Sequence, residues 1–210
     1  MRFRNSVLVL LFFLFSQVTA QTPAVSLLSR KAPKQFRAVF RTTKGDFVLE
    51  AYRSWSPLGV DRLYQLIVSG YYNNSLVFRV EPKYVVQFGI AEKYETKKFW
   101  YERYIPDEPV MQKHTRGMVA FARDKKNSRS TQLFVDMTDN PKLDTTVRDG
   151  VKGFTPVAKV ISGMEVVARF YAKYGKQPGA QQIDLYRRGN AYYEQLFPGL
   201  DKILSAKIIP

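Results

Sequence analysis

Apolar and polar residues alternate in two runs near the start of the chain, at positions 36–42 and 46–52. The side chains of a β-strand point alternately to its two faces, so this alternation is typical of strands with one buried face. Lys44 and Gly45 separate the two runs, and a short connection that contains glycine favours a tight turn. The pattern therefore predicts a β-hairpin.

A helical period replaces the alternation after position 55. Ser56 and Pro57 are typical of the N-cap and the first residue of a helix, and Gly70 marks its end. Between them, apolar residues recur three or four positions apart, as one buried helical face requires: Val60, Leu63, Leu66 and Ile67. Residues 163–171 predict a second short helix, and residues 184–195 predict a third.

Short apolar runs predict further strands within 76–89, 116–122, 131–137, 154–160 and 205–209. The polar and aromatic stretch 91–113 lacks a clear period and is predicted to be a long loop. Many short antiparallel strands with two main helices indicate a mainly β protein. We expect a closed barrel with the helices as plugs, because closure leaves no exposed strand edge.

Two long polar side chains, Arg79 and Gln87, interrupt the apolar runs within 76–89. Alternation would place Arg79 on the same face as Val77. Pro82 marks a turn between the runs, because proline cannot donate to a strand ladder. From this stretch alone a solvated arginine is the simpler interpretation, and a functional arginine is the alternative.

A second polar and aromatic pair lies in the run 131–137. Gln132 and Phe134 share one face of the predicted strand, and Leu133 and Val135 share the other. We expect Phe134 to be exposed beside the glutamine, on a surface that could hold a peptide. Taken alone, the run also fits an ordinary core position for Phe134.

Length and composition favour one domain. The chain has 210 residues, of which 45% are hydrophobic, enough for a sizeable core. Residues 1–20 are typical of a secretory signal, with Arg2 and Arg4 before an apolar run that is shorter than the about 20 residues that span a bilayer. An uncleaved anchor is the alternative. We predict a linker at 21–34 and a folded domain at 35–210.

The content of cysteine and histidine excludes several chemistries. The chain has no cysteine, so disulfides, thiolate nucleophiles and cysteine metal sites are excluded, and the single histidine, His114, excludes a histidine-rich metal centre. His114 lies in a polar stretch and is predicted to be exposed. The formal net charge of +15 favours anionic partners such as acidic surfaces. The basic residues are scattered without a binding motif, so specific nucleic-acid recognition is not expected.

Four motifs in order resemble the cyclophilin-type peptidyl-prolyl cis/trans isomerases over about residues 36–174, with a last strand near 206–209. The family signature Phe-His-Arg-Val-Ile-Pro-x-Phe-Met-x-Gln is matched by Val77-Phe78-Arg79-Val80-Glu81-Pro82-Lys83-Tyr84-Val85-Val86-Gln87. The next motif is matched by Thr115-Arg116-Gly117, by Ala120-Phe121-Ala122 and by Thr131-Gln132-Leu133-Phe134. The segment Gly153-Phe154-Thr155-Pro156-Val157-Ala158-Lys159-Val160, followed by Gly163-Met164, resembles the family's Phe-Gly-Lys-Val and Gly-Met segment.

The resemblance implies an eight-stranded antiparallel barrel capped by two helices, with a family-variable helical insertion at 175–202 before the last strand. It implies that Arg79 and Gln87 are catalytic. It also implies a set of substrate-binding residues: Tyr84, Val85, Ala122, Arg123, Gln132, Phe134, Leu143 and Phe154. We expect the insertion to form a surface helix packed beside the barrel.

The chain departs from the family pattern inside the expected pocket. Tyr84 and Val85 stand where the family has phenylalanine and methionine, and Arg123 stands where asparagine is frequent. Lys142 replaces a frequent tryptophan, and Phe154 occupies the place of the pocket histidine. The implied arginine mechanism needs neither cysteine nor histidine.

The implied activity is isomerisation of X-Pro bonds in folding or exported proteins. We expect a periplasmic or extracellular monomer that needs no cofactor or metal. Once the signal is removed, no membrane span is expected. The expected partners are proline-containing polypeptides. A binding module that has kept the groove but has weak or no turnover is the main alternative. A basic barrel that binds nucleic acid through exposed aromatic residues is a further, weaker alternative.

Overall fold

A computed structural model of the chain describes residues 24–101 and 103–210. The predicted signal at 1–20 and the first residues of the predicted linker lie outside the described residues. Ten strands are found in the described part. They are β1 (Gln35–Thr42), β2 (Gly45–Tyr52), β3 (Ser75–Val80), β4 (Val85–Phe88), β5 (Met118–Phe121), β6 (Leu133–Asp136), β7 (Val147–Arg148), β8 (Val151–Lys152), β9 (Pro156–Ser162) and β10 (Lys202–Ile209).

Eight of these strands close into a barrel in the order β1, β10, β3, β4, β6, β5, β9, β2, and each neighbouring pair is antiparallel. The strands β7 and β8 form a separate two-stranded hairpin. The predicted hairpin of β1 and β2 is present, with Thr42 opposite Gly45 across the turn. The expectation of a closed eight-stranded antiparallel barrel is therefore confirmed.

The described residues form six α-helices: α1 (Pro57–Val68), α2 (Tyr94–Trp100), α3 (Lys142–Thr145), α4 (Met164–Ala168), α5 (Gln177–Ala180) and α6 (Gln182–Leu196). In α1, the predicted apolar face (Val60, Leu63, Leu66 and Ile67) is buried in the main core, and α4 adds Val167 to the same core. These two helices cap the barrel. Within the described ranges, no helix is long and apolar enough to span a bilayer.

A distant carboxylate caps α1. Ser56 occupies the N-cap, but its side chain does not bond the helix; its hydroxyl donates instead to Glu108. The Glu108 carboxylate accepts the N–H groups of Leu58 and Gly59 at 2.8 and 3.0 Å, and Arg129 donates to it at 2.9 Å. Burial alone would raise the pKa of Glu108, but these hydrogen bonds outweigh burial and lower it.

The stretch 91–113 is not the structureless loop that its lack of period predicts, because it contains α2. Phe99 and Trp100 of this helix are buried in the main core. The predicted linker also contains regular structure in its described part. A 3₁₀ turn at Val25–Ser29 packs beside α1, where Gln65 donates to the carbonyl of Leu28 at 3.1 Å.

The predicted alternation along β3 is wrong at Arg79. The pairing of β3 with β4 shifts between Val77 and Arg79, as in a β-bulge. Val77 packs into the main core, whereas Phe78 belongs to a separate buried cluster and Arg79 is only partly buried. The extra residue of the bulge therefore releases Arg79 from the face that it would share with Val77.

The insertion 175–202 packs against the outside of β3, as expected. Leu185, Tyr193 and Phe197 of the insertion form a buried cluster with Leu76 and Phe78 of β3. The helix α6 is broken at Gly189, whose φ of 79° is a conformation that favours glycine. The barrel thus has an outer layer on the strand that carries Arg79.

Candidate active site

A groove of about 890 Å³ runs over β3, β4 and β6, outside the barrel core. Its size falls within the range of small-molecule and peptide sites. All ten residues that the motifs pointed to line it: Arg79, Tyr84, Val85, Gln87, Ala122, Arg123, Gln132, Phe134, Leu143 and Phe154. The structure thus brings the predicted side chains together on one surface.

A polar strip of three side chains crosses the groove. Arg79 Nη1 donates to Gln87 Oε1 at 3.1 Å, and Gln87 Nε2 donates to Gln132 Oε1 at 2.9 Å. The strand register explains the order, because Gln87 lies opposite Arg79 in β3 and opposite Phe134 in β6. Gln87 therefore holds one edge of the Arg79 guanidinium in place.

A carboxylate holds a second edge of the same guanidinium. Arg79 Nε donates to Glu81 Oε1 at 2.6 Å, and the Arg79 guanidinium lies 5.4 Å from the centre of the Tyr84 ring. Both side chains of the ion pair are somewhat under a third exposed. No hydrogen bond of Nη2 to the described residues is found, so this part of the guanidinium is available to a ligand. The motif match did not single out Glu81.

An apolar pocket adjoins the strip. Val85, Ala120, Phe134, Leu143 and Phe154 form a buried cluster that is separate from the barrel core, with Tyr84 and Ala122 packed against it. Phe134 is only 5% exposed, so the expectation of an exposed aromatic is wrong. The rings of Phe134 and Phe154 meet edge to face at 5.6 Å. The cluster offers a small apolar notch beside a charged donor.

His114 supports this pocket from behind, and the expectation that it is exposed is wrong. It is 1% exposed and stacks on Phe134 with a ring distance of 5.7 Å. Nδ1 lies 2.6 Å from Asp136 Oδ2, and Nε2 lies 2.7 Å from the carbonyl oxygen of Phe154. The carboxylate of Asp136 and the carbonyl of Phe154 are both acceptors, so both ring nitrogens of His114 face groups that need a donor. The polar sequence around His114 did not indicate either of these partners.

The electrostatics of His114 follow from these partners. Burial lowers the pKa of the imidazole, but the hydrogen bond and the negative charge of Asp136, together with the carbonyl of Phe154, outweigh burial and raise it. Asn140 donates to the other carboxylate oxygen of Asp136 at 2.7 Å. The buried pair of His114 and Asp136 therefore supports both Phe134, through ring stacking, and Phe154, through its carbonyl.

Arg123 forms part of the rim. Its Nη2 donates to the carbonyl oxygens of Val151 and Gly153 at 2.9 and 2.7 Å, and its guanidinium lies 4.9 Å from the centre of the Phe154 ring. Burial lowers the pKa of Arg123. Because its donors are used by backbone carbonyls, Arg123 positions the β8 hairpin and Phe154.

The insertion supplies a second wall of the groove, which the motifs did not indicate. Gly179 of α5 lies beside Arg79: a Cβ at this glycine would be 3.5 Å from Arg79 Cβ and Cδ. Val80 N–H donates to the carbonyl of Gly175 at 3.2 Å, and Tyr193 donates to the carbonyl of Pro178. These contacts hold α5 over the stem of the arginine.

Comparison with known sequences agrees with this geometry. The family described as cyclophilin type peptidyl-prolyl cis-trans isomerase/CLD matches residues 37–183. The chain belongs to the cyclophilin-type peptidyl-prolyl cis-trans isomerase family, as the motifs suggested.

Curated relatives are similar over most of the described domain. The chain is 27% identical over 142 residues to a peptidyl-prolyl cis-trans isomerase of Acinetobacter baylyi, covering 67% of this chain and 74% of the relative. It is 29% identical over 131 residues to peptidyl-prolyl cis-trans isomerase B of Escherichia coli, covering 61% and 79%. A crystal structure of a Cryptosporidium parvum cyclophilin type peptidyl-prolyl cis-trans isomerase shares the fold, with a TM-score of 0.62 at 21% identity over 84% of this chain and 98% of the other.

Proposed function

We propose that this groove is where the chain isomerises X-Pro bonds, with Arg79 as the catalytic residue and Gln87 as the residue that positions it. The observation that carries the proposal is the arrangement of one guanidinium, fixed at Nε and Nη1, beside a separate apolar cluster. The family supplies the reaction, isomerisation of peptidyl-prolyl bonds. The assignment of residues to roles is our inference from the geometry.

The reaction requires a loss of amide resonance. This resonance gives the bond a rotational barrier of about 18–20 kcal/mol, and uncatalysed X-Pro isomerisation takes tens to hundreds of seconds. As the bond twists, the lone pair localises on the prolyl nitrogen. A donor that meets this lone pair binds the twisted state better than either planar isomer, which is the condition for catalysis.

Arg79 has the donor that this step needs. In our proposal the guanidinium donates from its Nη2 side to the prolyl nitrogen, while Glu81 and Gln87 hold the plane of the group. A rate increase of about 10⁵ corresponds to about 7 kcal/mol of differential stabilisation. A charged donor and fixed orientation can supply an amount of this order. No proton is transferred and no bond is formed or broken.

The apolar cluster would hold the prolyl ring. Phe134, Val85 and Leu143 form the notch, and Tyr84 and Phe154 border it. Gln132 Nε2 has no hydrogen-bond partner among the described residues, so it can donate to a carbonyl of the substrate. The role of Gln87 follows from its two hydrogen bonds, which join Arg79 to Gln132.

Substitution of Arg79 tests the mechanism. We expect Arg79→Ala to lower kcat/KM for an Ala-Pro peptide by about 10²–10³-fold, as found when one charge-stabilising donor is removed. Arg79→Lys should recover little, because an ammonium lacks the planar fork. Arg41→Ala, at an exposed strand position outside the groove, is the matched control and should leave kcat/KM unchanged.

The same assay separates an enzyme from a binding module. Wild-type turnover that survives Arg79→Ala would remove Arg79 from the mechanism. Peptide binding without turnover in either protein would favour a module that holds proline-containing segments. The binding-module alternative is based on Tyr84, Val85 and Phe154, where the chain differs from the family pattern in the pocket.

We also propose that the clients are proteins that fold after export. The basic start and apolar run within residues 1–20 support this location. Expression of the full chain in a Gram-negative bacterium, followed by osmotic release and N-terminal sequencing, tests it. A start near residue 21 in the periplasmic fraction is expected, and an uncleaved cytoplasmic protein would contradict the proposal.

A further inference from the structure

The groove is larger than one prolyl residue requires. Besides the polar strip and the apolar cluster, it includes a cleft between the end of α2 and the start of α6. We call this part the α2–α6 cleft, and define it by Trp100, Tyr101, Tyr104, Gln182, Ile183 and Tyr186. Because it shares one continuous surface with Arg79 and Gln132, a polypeptide bound at the strip can extend into it.

Exposed apolar side chains border the cleft from both sides. Tyr101 is 53% exposed, Tyr104 is 43% exposed and Ile183 is 54% exposed. Covering such surface from water is favourable by about 25 cal/mol per Å². Two aromatic faces and one branched aliphatic chain at a groove mouth therefore favour an apolar occupant.

The walls of the cleft also carry polar atoms without partners. Trp100 Nε1 and Gln182 Oε1 are buried, and neither has a hydrogen-bond partner among the described residues. A buried donor or acceptor without a partner is costly, and a ligand that supplies one recovers the loss. The backbone of a polypeptide carries both kinds of group that these atoms lack, a C=O acceptor for Trp100 Nε1 and an N–H donor for Gln182 Oε1.

The two walls are fixed to one another before any ligand binds. Lys97 Nζ of α2 donates to the carbonyl of Tyr186 at 2.9 Å, in the turn of α6 before the break at Gly189. The rings of Tyr101 and Tyr186 lie 4.8 Å apart. A preformed cleft requires little ordering upon binding, which favours affinity.

We propose that the α2–α6 cleft is a specificity subsite that holds a large aromatic or aliphatic side chain of the client, within a few residues of the isomerised proline. The occupant is part of the same polypeptide, because the cleft and the polar strip line one continuous groove. This inference rests on the proposed function for the identity of the client.

A peptide series tests the subsite. Peptides with one central Ala-Pro unit carry Phe, Ser or Glu at each of the three positions before the alanine or after the proline. Dissociation constants from calorimetry and kcat/KM from isomerisation are measured for each. At one position, we expect Phe instead of Ser to lower the dissociation constant and to raise kcat/KM, each about five- to tenfold. A change of this size is what partial burial of one aromatic ring would produce.

Two variants of exposed residues on α6 complete the experiment. Ile183→Ser should reduce the Phe-to-Ser ratio to below about two. Leu196→Ser is the matched control, because Leu196 is 42% exposed on the same helix and does not line the groove. It should retain the full ratio.

The outcomes separate this proposal from the proposed function. Absence of any Phe preference in the wild type, a preference for Glu over Phe, or full discrimination in Ile183→Ser would overturn the subsite. Absence of turnover for every peptide would contradict the proposed function alone, because the dissociation constants would still report the Phe preference and its loss in Ile183→Ser.

Discussion

The two walls of the groove differ in how they are built. The barrel wall consists of adjacent strands whose register places Gln87 beside Arg79, and Gln132, directly before β6, is joined to Gln87 by a hydrogen bond. The inserted wall, α5 with the first half of α6, is attached through the buried cluster beneath α6 and through contacts to α2. The strands of the first wall also contribute side chains to the main core. The second wall rests on a separate cluster, so we expect it to open while the barrel stays folded.

A matched pair of leucine substitutions gives the largest expected effect. Leu133 of β6 and Leu185 of α6 are both fully buried, in the main core and in the outer cluster respectively. Leu133→Ala should lower the global free energy of unfolding by about 2–5 kcal/mol, from lost burial and a cavity. Leu185→Ala should lower it much less. Denaturant unfolding followed by circular dichroism measures both, and equal losses would contradict separate stability of the two walls.

Loosening the inserted wall should also affect catalysis. In Leu185→Ala, the amides of 177–188 should exchange with solvent faster, while those of β5 and β6 remain protected. We expect kcat/KM to fall about three- to tenfold, because α5 no longer fixes the stem of Arg79. Hydrogen exchange detected by mass spectrometry and the isomerisation assay measure the two effects. Reduced activity with unchanged exchange in 177–188 would contradict the idea that a loosened inserted wall lowers kcat/KM.

Glu81→Gln tests how strongly Glu81, on the barrel wall, positions the Arg79 guanidinium. The change keeps the size of the side chain but removes the charge that holds Arg79 Nε. We expect kcat/KM to fall about two- to fivefold, the scale of a partly exposed ion pair. The free energy of unfolding should barely change. An unchanged kcat/KM would show that Gln87 alone positions the guanidinium.

The smallest expected effect is a pH dependence of stability, caused by His114, which lies behind the apolar pocket of the barrel wall. The pKa of His114 is raised from its usual value of 6.5, with Asp136 as the main stabilising partner against burial. Its contribution to stability is therefore fully present below pH 6.5 and is lost as the pH rises through the raised pKa. Denaturant midpoints measured from pH 6 to 9 should fall with pH, and His114→Gln should remove that component. A flat wild-type profile would contradict an imidazolium at this position.

Local patterns predicted much of the barrel. The hairpin of β1 and β2 followed from alternation, and α1 followed from its start signal and its apolar period. These patterns are visible in the sequence because one buried face imposes a period of 2 or 3.6 on consecutive residues. The residues of the groove came from motif resemblance, since alternation alone left Arg79 as a solvated arginine.

Other features have no periodic trace. The burial of His114 depends on Asp136, 22 positions away, and on the carbonyl of Phe154, 40 positions away. The helix α2 is polar along much of its length, because it packs mainly through residues at its end and through Lys97. The bulge at Phe78 turns the Arg79 side chain to the other face of the strand, and no glycine or proline in β3 indicates the bulge in the sequence.

The sequence by itself determined where most of the barrel strands lie, which polar residues line the groove and, because it has no cysteine, the absence of thiol chemistry. These features depend on residue type and on patterns over a few consecutive positions. Only the tertiary structure decided that Glu81 anchors Arg79, that His114 supports the pocket and that α5 and α6 form a second wall. The support from His114 and the second wall depend on contacts between distant segments, which leave no regular pattern along the chain. Glu81 is only two positions from Arg79, but the β-bulge decides that their side chains meet, and nothing in the local pattern predicts the bulge.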